Sequence, residues 1–226
     1  MEFQGFSKDT LVFLGDLSAH NDRAWFAENR ARYDGVLLER QKAFVTAMGE
    51  AFEGVDGRVR CVPAVNQSIF RINRDIRFSK DKSPYKTYSD LWFWIGDDRK
   101  SAPGYFMRIE PEGVWVGCGA HRLEPEQIAR LRAAIVAPAT GIELESLLGS
   151  LTDDGYEIGE ATIKRVPAGF SADSPRADLL RFTVVHAIEK VSPAPAEFES
   201  EALVAWCMER FVRCKPLVDW LVDNLG

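Results

Sequence analysis

The chain predicts a single α+β domain spanning residues 1–226, a mainly antiparallel sheet flanked by N- and C-terminal helices. Three observations lead there. The first fifty residues place large apolar side chains at helical spacing, and from about Val62 the period shortens to that of strands. The strand candidates are joined by short turns and not by regular helical crossovers, which is the connectivity of an antiparallel sheet. Helical spacing then returns and closes the chain.

The elements follow in order. Thr10 to Leu17 reads as a short helix. Phe26, Tyr33, Leu37, Phe44, Met48 and Phe52 step by seven and four, laying one apolar stripe along a longer one. Asn21 or Asp22 is placed to cap its start, and Gly35 and Gly49 weaken it enough to allow a break. Phe70, Ile72, Ile76 and Phe78 alternate with Arg71, Asn73, Asp75 and Arg77, which predicts a half-buried strand. Arg74 falls on its apolar side and predicts a bulge or a paired guanidinium. Tyr88 to Ile95 is the next strand. Tyr105–Glu110 and Val114–Cys118 form a hairpin across Pro111-Glu112-Gly113. Helices are expected after Pro125 and over Ile142–Leu151, with a strand ending near Pro167. Ser174-Pro175 reads as a helix N-cap with proline at the first position. Val184 and Val185 suggest one more strand, and the last helix starts near Glu197, with Pro216 set to kink or break it.

Composition narrows the class of protein. Hydrophobic residues make up 46% of the chain, with fourteen Phe and six Trp, which is ample for a buried core. A net charge of −6 argues against broad non-specific nucleic-acid binding. The longest apolar runs, such as Leu91–Ile95, are too short to span a bilayer, so no membrane partner is expected. The first residues show no basic region followed by an apolar stretch, and the expected location is the cytoplasm. Cys61, Cys118, Cys207 and Cys214 show no C-x-x-C pairing and are expected to be reduced and mostly buried. His20, His121 and His186 lack ligand spacing, so no metal site is predicted. No cofactor is indicated, and the oligomeric state is not legible in the sequence.

One segment runs against the acidic balance. Arg71, Arg74, Arg77, Lys80, Lys82 and Lys86 face only Asp75 and Asp81 within sixteen residues. Concentrated cations repel one another, and either an anionic partner or internal carboxylates must offset that repulsion. Guanidinium forks beside mobile ammonium groups suit a phosphate or carboxylate. The expectation is therefore an anion-binding pocket lined by these six residues, with Asp75 orienting the arginines. Lys164 and Arg165 form a secondary basic pair from a distant segment. The same residues also fit a non-catalytic scaffold in which Asp75 and Asp81 neutralise the arginines. A third reading, single-stranded nucleic acid, is the least favoured, with Tyr85, Tyr88, Trp92 and Trp94 as stacking candidates. Whether the protein is an enzyme stays open. Asp75 or Asp81 as general base and Tyr85 as proton donor are the catalytic candidates, and neighbouring arginines would weaken the two acids as bases.

Around this segment the chain resembles a known family. The similarity rests on Phe70-Arg71 and the run Arg74-Asp75-Ile76-Arg77-Phe78-Ser79-Lys80-Asp81-Lys82-Ser83-Pro84-Tyr85-Lys86-Thr87. It extends to Asn21 with Trp25-Phe26, to Pro103-Gly104-Tyr105 and Gly117-Cys118-Gly119, and to Lys164–Phe170. The chain thereby resembles an uncharacterised set of bacterial and fungal proteins sharing a conserved domain of unknown function. His20 stands where that family usually has a second Asn, and Ala120-His121 replaces a more aromatic pair. The resemblance implies a single α+β domain and carries no activity, substrate or cofactor.

Overall fold

Helix α1 (Lys8–Ala19) opens the fold behind its N-cap Ser7, and buries Thr10, Phe13, Leu14 and Leu17. The long stripe that follows is cut into pieces. Asp22 caps α2 (Arg23–Glu28) by accepting from the Ala24 and Trp25 amides, which settles the choice between Asn21 and Asp22. Asn29 then leads into α3 (Arg30–Tyr33). A π turn over Asp34–Leu38, spanning Gly35, joins α3 to α4 (Glu39–Glu53). An i→i+5 turn lengthens the backbone ladder locally and exposes carbonyls to other donors. The Thr10 hydroxyl fills that role, donating to the Val36 carbonyl at 2.8 Å. Gly49 lies inside α4 without breaking it.

The structure, a computed structural model, describes residues 2–226. Its sheet has six strands: β1 (Val59–Arg60), β2 (Ser89–Ile95), β3 (Gly104–Glu110), β4 (Gly113–Ala120), β5 (Glu157–Ile158) and β6 (Val185–Val191). They lie in the order β1-β2-β3-β4-β6-β5 in one antiparallel sheet. The predicted hairpin is thus β3–β4. Helices α5 (Pro125–Val136) and α6 (Pro138–Asp153) connect β4 to β5, each with proline in its first turn. Helix α7 (Ala202–Leu225) closes the fold. Among the described residues no single helix is long and apolar enough to cross a membrane.

Four expectations are corrected. Residues 70–78 form no strand: they run as irregular chain, and Phe78, expected on the buried side, is 96% exposed. The strand expected to end near Pro167 is confined to Glu157–Ile158. Ser174-Pro175 begins a series of turns that ends in a 3₁₀ turn at Leu179–Arg181, so no helix forms there. Pro216 does not break the last helix, which continues to Leu225 and starts later than expected, after a 3₁₀ turn at Ala196–Glu199.

Backbone contacts divide the chain into two compact units. The first comprises Met1–Phe93, Phe106–Val116 and Lys190–Glu209. Its core is phenylalanine-rich. Phe6 meets Phe3, Phe44 and Phe198 at centroid distances of 5.3 to 5.7 Å, and Phe93 of β2 reaches Phe52 of α4 at 5.8 Å. Gly5 lets the N-terminal segment pass beside Glu199, because a Cβ there would lie 2.2 Å from the Glu199 carbonyl carbon and φ is +96°. The second unit comprises Trp94–Tyr105, Gly117–Glu189 and Arg210–Gly226. It buries Leu131, Ile135, Leu144 and Leu148 with Phe211, Leu217 and Leu221. Gly119 is required by close strand approach, since a Cβ would stand 2.2 Å from the Val185 carbonyl oxygen.

Candidate functional site

The basic segment is a loop pinned at its base. Asn73 and Tyr85 pair as an isolated antiparallel bridge. The Arg74 amide donates to the Pro84 carbonyl at 2.9 Å, and the Lys86 amide to the Ile72 carbonyl at 2.8 Å. Asn21 fastens the same base to the start of α2. Its side-chain amide donates to the Tyr85 carbonyl and its oxygen accepts from the Tyr85 amide, both at 3.0 Å. A side chain here occupies the place of a neighbouring strand. The Tyr85 ring then stacks on Phe26 of α2, with centroids 4.1 Å apart and planes at 20°.

Beyond the base, much of the positive charge is answered within the loop. Asp75 accepts from the Arg77 guanidinium at 2.6 and 2.9 Å and from its amide at 3.2 Å. The Arg77 hydrogen bond is the chief cause that holds the Asp75 carboxyl down at about 2. Asp81 accepts from the Ser83 hydroxyl and amide and from Arg74, and these bonds, in that order, hold it below the usual carboxylate range. Lys82 donates to the Ile76 carbonyl at 2.9 Å. Lys80 is exposed.

Lys86 belongs to a different cluster, on β2, β3, β4 and β6. It sits 4.0 Å from Asp90 and over the rings of Phe70 and Tyr88. Burial lowers the pKa of its ammonium, with Asp90 opposing. Asp90 binds Arg108 at 2.7 Å, and the Arg108 guanidinium lies between Tyr88 (3.9 Å to the centroid) and Trp115 (4.8 Å), with Lys190 over Trp115 at 4.9 Å. Desolvation works against the Arg108 charge, yet Asp90 outweighs it and the group titrates above its ordinary value. Aromatic faces sandwiched by cations stabilise such a sheet surface.

Arg71 goes elsewhere. It lines a cleft of about 530 Å³ in the first unit, together with Arg23 of α2, Arg30 of α3 and Asn73. Phe26, Tyr33 and Tyr85 supply its aromatic wall, and Leu38, Val65 and Ile72 further apolar lining. Arg30 is held by Asp34 in a fork at 3.0 Å to each oxygen and lies over Tyr33 at 5.4 Å. Arg23 and Arg71 are exposed, and among the described residues neither has a carboxylate within ion-pairing distance. Burial pushes the Tyr33 phenol up to about 12, so at neutral pH it is a proton-bearing donor.

The six predicted cations therefore separate. Arg71 lines the cleft, Arg74, Arg77 and Lys82 bond within the loop, Lys80 faces solvent, and Lys86 joins the Arg108 cluster. Lys164 and Arg165 are exposed on the irregular segment after β5, in the second unit. Of the stacking candidates, Tyr85, Trp92 and Trp94 are buried, and Tyr88 carries the Arg108 guanidinium on its face. Sequence reasoning missed Arg23 and Arg30, and set Asn73 on the face of Arg71 without giving it a role. The signal was present: Arg23, Phe26, Ala27, Arg30 and Tyr33 are spaced 3, 1, 3 and 3, the face of one helix, so two cations interrupt an apolar stripe.

Together these features define an α+β protein whose first unit carries an arginine-lined cleft beside a pinned basic loop. The chain belongs to DUF2461, a family of conserved hypothetical proteins, whose pattern it matches over residues 9–220. No curated protein and no solved structure matches it.

Proposed function

We propose that the protein binds an anionic, phosphate-bearing small molecule in the cleft between α2, α3 and the base of the basic loop. The observation that supports this is the pair Arg23 and Arg71, two exposed guanidinium groups on one concavity, neither with a carboxylate at ion-pairing distance among the described residues. Guanidinium forks match phosphate oxygens in a bidentate geometry, and an unpaired cation on a concave surface lowers the cost of bringing an anion there. Free, mostly buried cysteines fit the reducing interior of the cytoplasm, which we take as its location. The reading is one of binding. Asp75 and Asp81 are held ionised by their arginine and serine partners, which makes both weak bases near neutrality, and Tyr85 is buried in its stack on Phe26.

A scaffold role is favoured for the loop tip by the internal bonds of Arg74, Arg77 and Lys82. The two readings divide the segment between them: the tip braces itself, and the base presents Arg71. Thermal shift with phosphate, sulfate and citrate tests the binding reading. An anion at a hundred times its Kd should stabilise the fold by about 2.7 kcal/mol, and Arg71→Gln together with Arg23→Gln should abolish the response. Equal responses in wild type and the double variant would remove the cleft as the site.

A further inference from the structure

Resting on that reading, we infer that the ligand is a phosphomonoester with a flat apolar body, such as an aryl phosphate or a nucleoside monophosphate. The charge of the head follows from the arginines. Arg30 is already compensated by both oxygens of Asp34, which leaves Arg23 and Arg71 as the two cleft arginines without an ion pair, Asp75 acting on Arg71 only from beyond ion-pairing distance. Two positive charges call for a dianion, and a phosphomonoester carries about −1.5 to −2 near neutrality. A phosphodiester or a single carboxylate would leave one guanidinium unanswered.

The body follows from the rest of the wall. A volume of about 530 Å³ lies within the range of roughly 300–1,000 Å³ typical of small-molecule sites, far more room than an inorganic anion fills. Three rings line it. Phe26 and Tyr85 stack at 4.1 Å, and Tyr33 leans on Phe26 at 5.3 Å with planes at 53°. Rings held in mutual contact keep a fixed orientation, which favours a rigid, flat guest over a flexible hydrophilic one. Asn73 adds an amide that can both donate and accept, and so could recognise a hydroxyl or a base edge on that body.

Isothermal titration of the full chain with inorganic phosphate, phenyl phosphate, phenol and adenosine monophosphate separates the two levels of the claim. Phenyl phosphate should bind at least about tenfold more tightly than phosphate, a difference of about 1.4 kcal/mol, and phenol alone should not bind. Phe26→Leu should cut that advantage, read as the ratio of phenyl phosphate to phosphate affinity within the same variant, and exposed Arg71→Gln, which disturbs no core contact, should weaken both phosphates. Adenosine monophosphate binding more tightly than phenyl phosphate would support the class and point to nucleotides. Weaker binding of it would support the class and point to smaller aryl esters. If phosphate and phenyl phosphate bind equally, the aromatic body is wrong and the anion cleft survives. If neither binds, both are wrong. Phenyl phosphate binding that ignores Arg71→Gln would place the ester outside the cleft and overturn the inference.

Discussion

Asn21→Ala should damage both the stability of the protein and the geometry of the cleft, because one side chain ties two segments 64 residues apart. Its amide makes two hydrogen bonds to the Tyr85 backbone, each at 3.0 Å in a part-buried setting. A typical intramolecular hydrogen bond contributes about 0.5–1.5 kcal/mol net, so losing two costs about 1–3 kcal/mol. For a chain of this length each kcal/mol lowers Tm by about 2–4 °C, which puts the expected shift at about 2–12 °C. Asn21→Asp keeps the acceptor for the Tyr85 amide and loses the donor to its carbonyl, so it should fall between wild type and Asn21→Ala. Asp22 still caps α2 in both variants, so helix loss does not confound the result. Differential scanning calorimetry reads the shift, and the same samples titrated with phosphate should show weaker binding. A Tm within 1 °C of wild type, on the scale that equates 1 °C with a few tenths of a kcal/mol, would show that the clamp is not what holds the loop base to α2.

Three further outcomes are expected. Arg108→Ala removes a guanidinium packed between Tyr88 and Trp115 and leaves half-buried Asp90 with Lys86 at 4.0 Å, so urea unfolding should show a loss of about 2–4 kcal/mol. Arg77→Ala should leave the melting temperature essentially unchanged, because its bonds go to Asp75 two residues away in open solvent; unfolding would instead favour a brace for the whole fold. The Tyr33 phenol has its folded pKa raised by burial to about 12, above the ordinary value of 10.0, and so stabilises the fold at pH below 10 and loses that contribution as pH rises through 12. Ultraviolet titration of wild type against Tyr33→Phe should show one tyrosinate forming only near that upper limit, and an alkaline transition that is shallower in the variant.

Parts of this arrangement were legible in the sequence for physical reasons. The stripe through Phe44, Met48 and Phe52 keeps one period over a long helix, and β3–β4 is announced by alternation around Pro111-Glu112-Gly113. Residues 70–78 show where that logic fails. Their alternation imitates a strand, yet Asp75 and Asp81 bond to nearby amides and compete with any ladder, and Phe78 finds no face to cover it. At the site, the cations were visible as charge but their directions were not. Asn21 has no local signature, because its partner is far along the chain. Arg23 and Arg30 could have been found from their position on an apolar helical face. Arg108 emerges only once the register that sets it between Tyr88 and Trp115 is known.

Arg23 and Arg71 stand at the cleft without an ion pair, and an anion should take that place. A crystal structure of the protein grown in phosphate tests it most directly. A phosphate is expected with oxygens about 2.8 Å from both guanidinium groups, near the Phe26–Tyr85 stack. Arg23 and Arg71 turned onto the protein's own carboxylates, with the cleft free of phosphate, would contradict it.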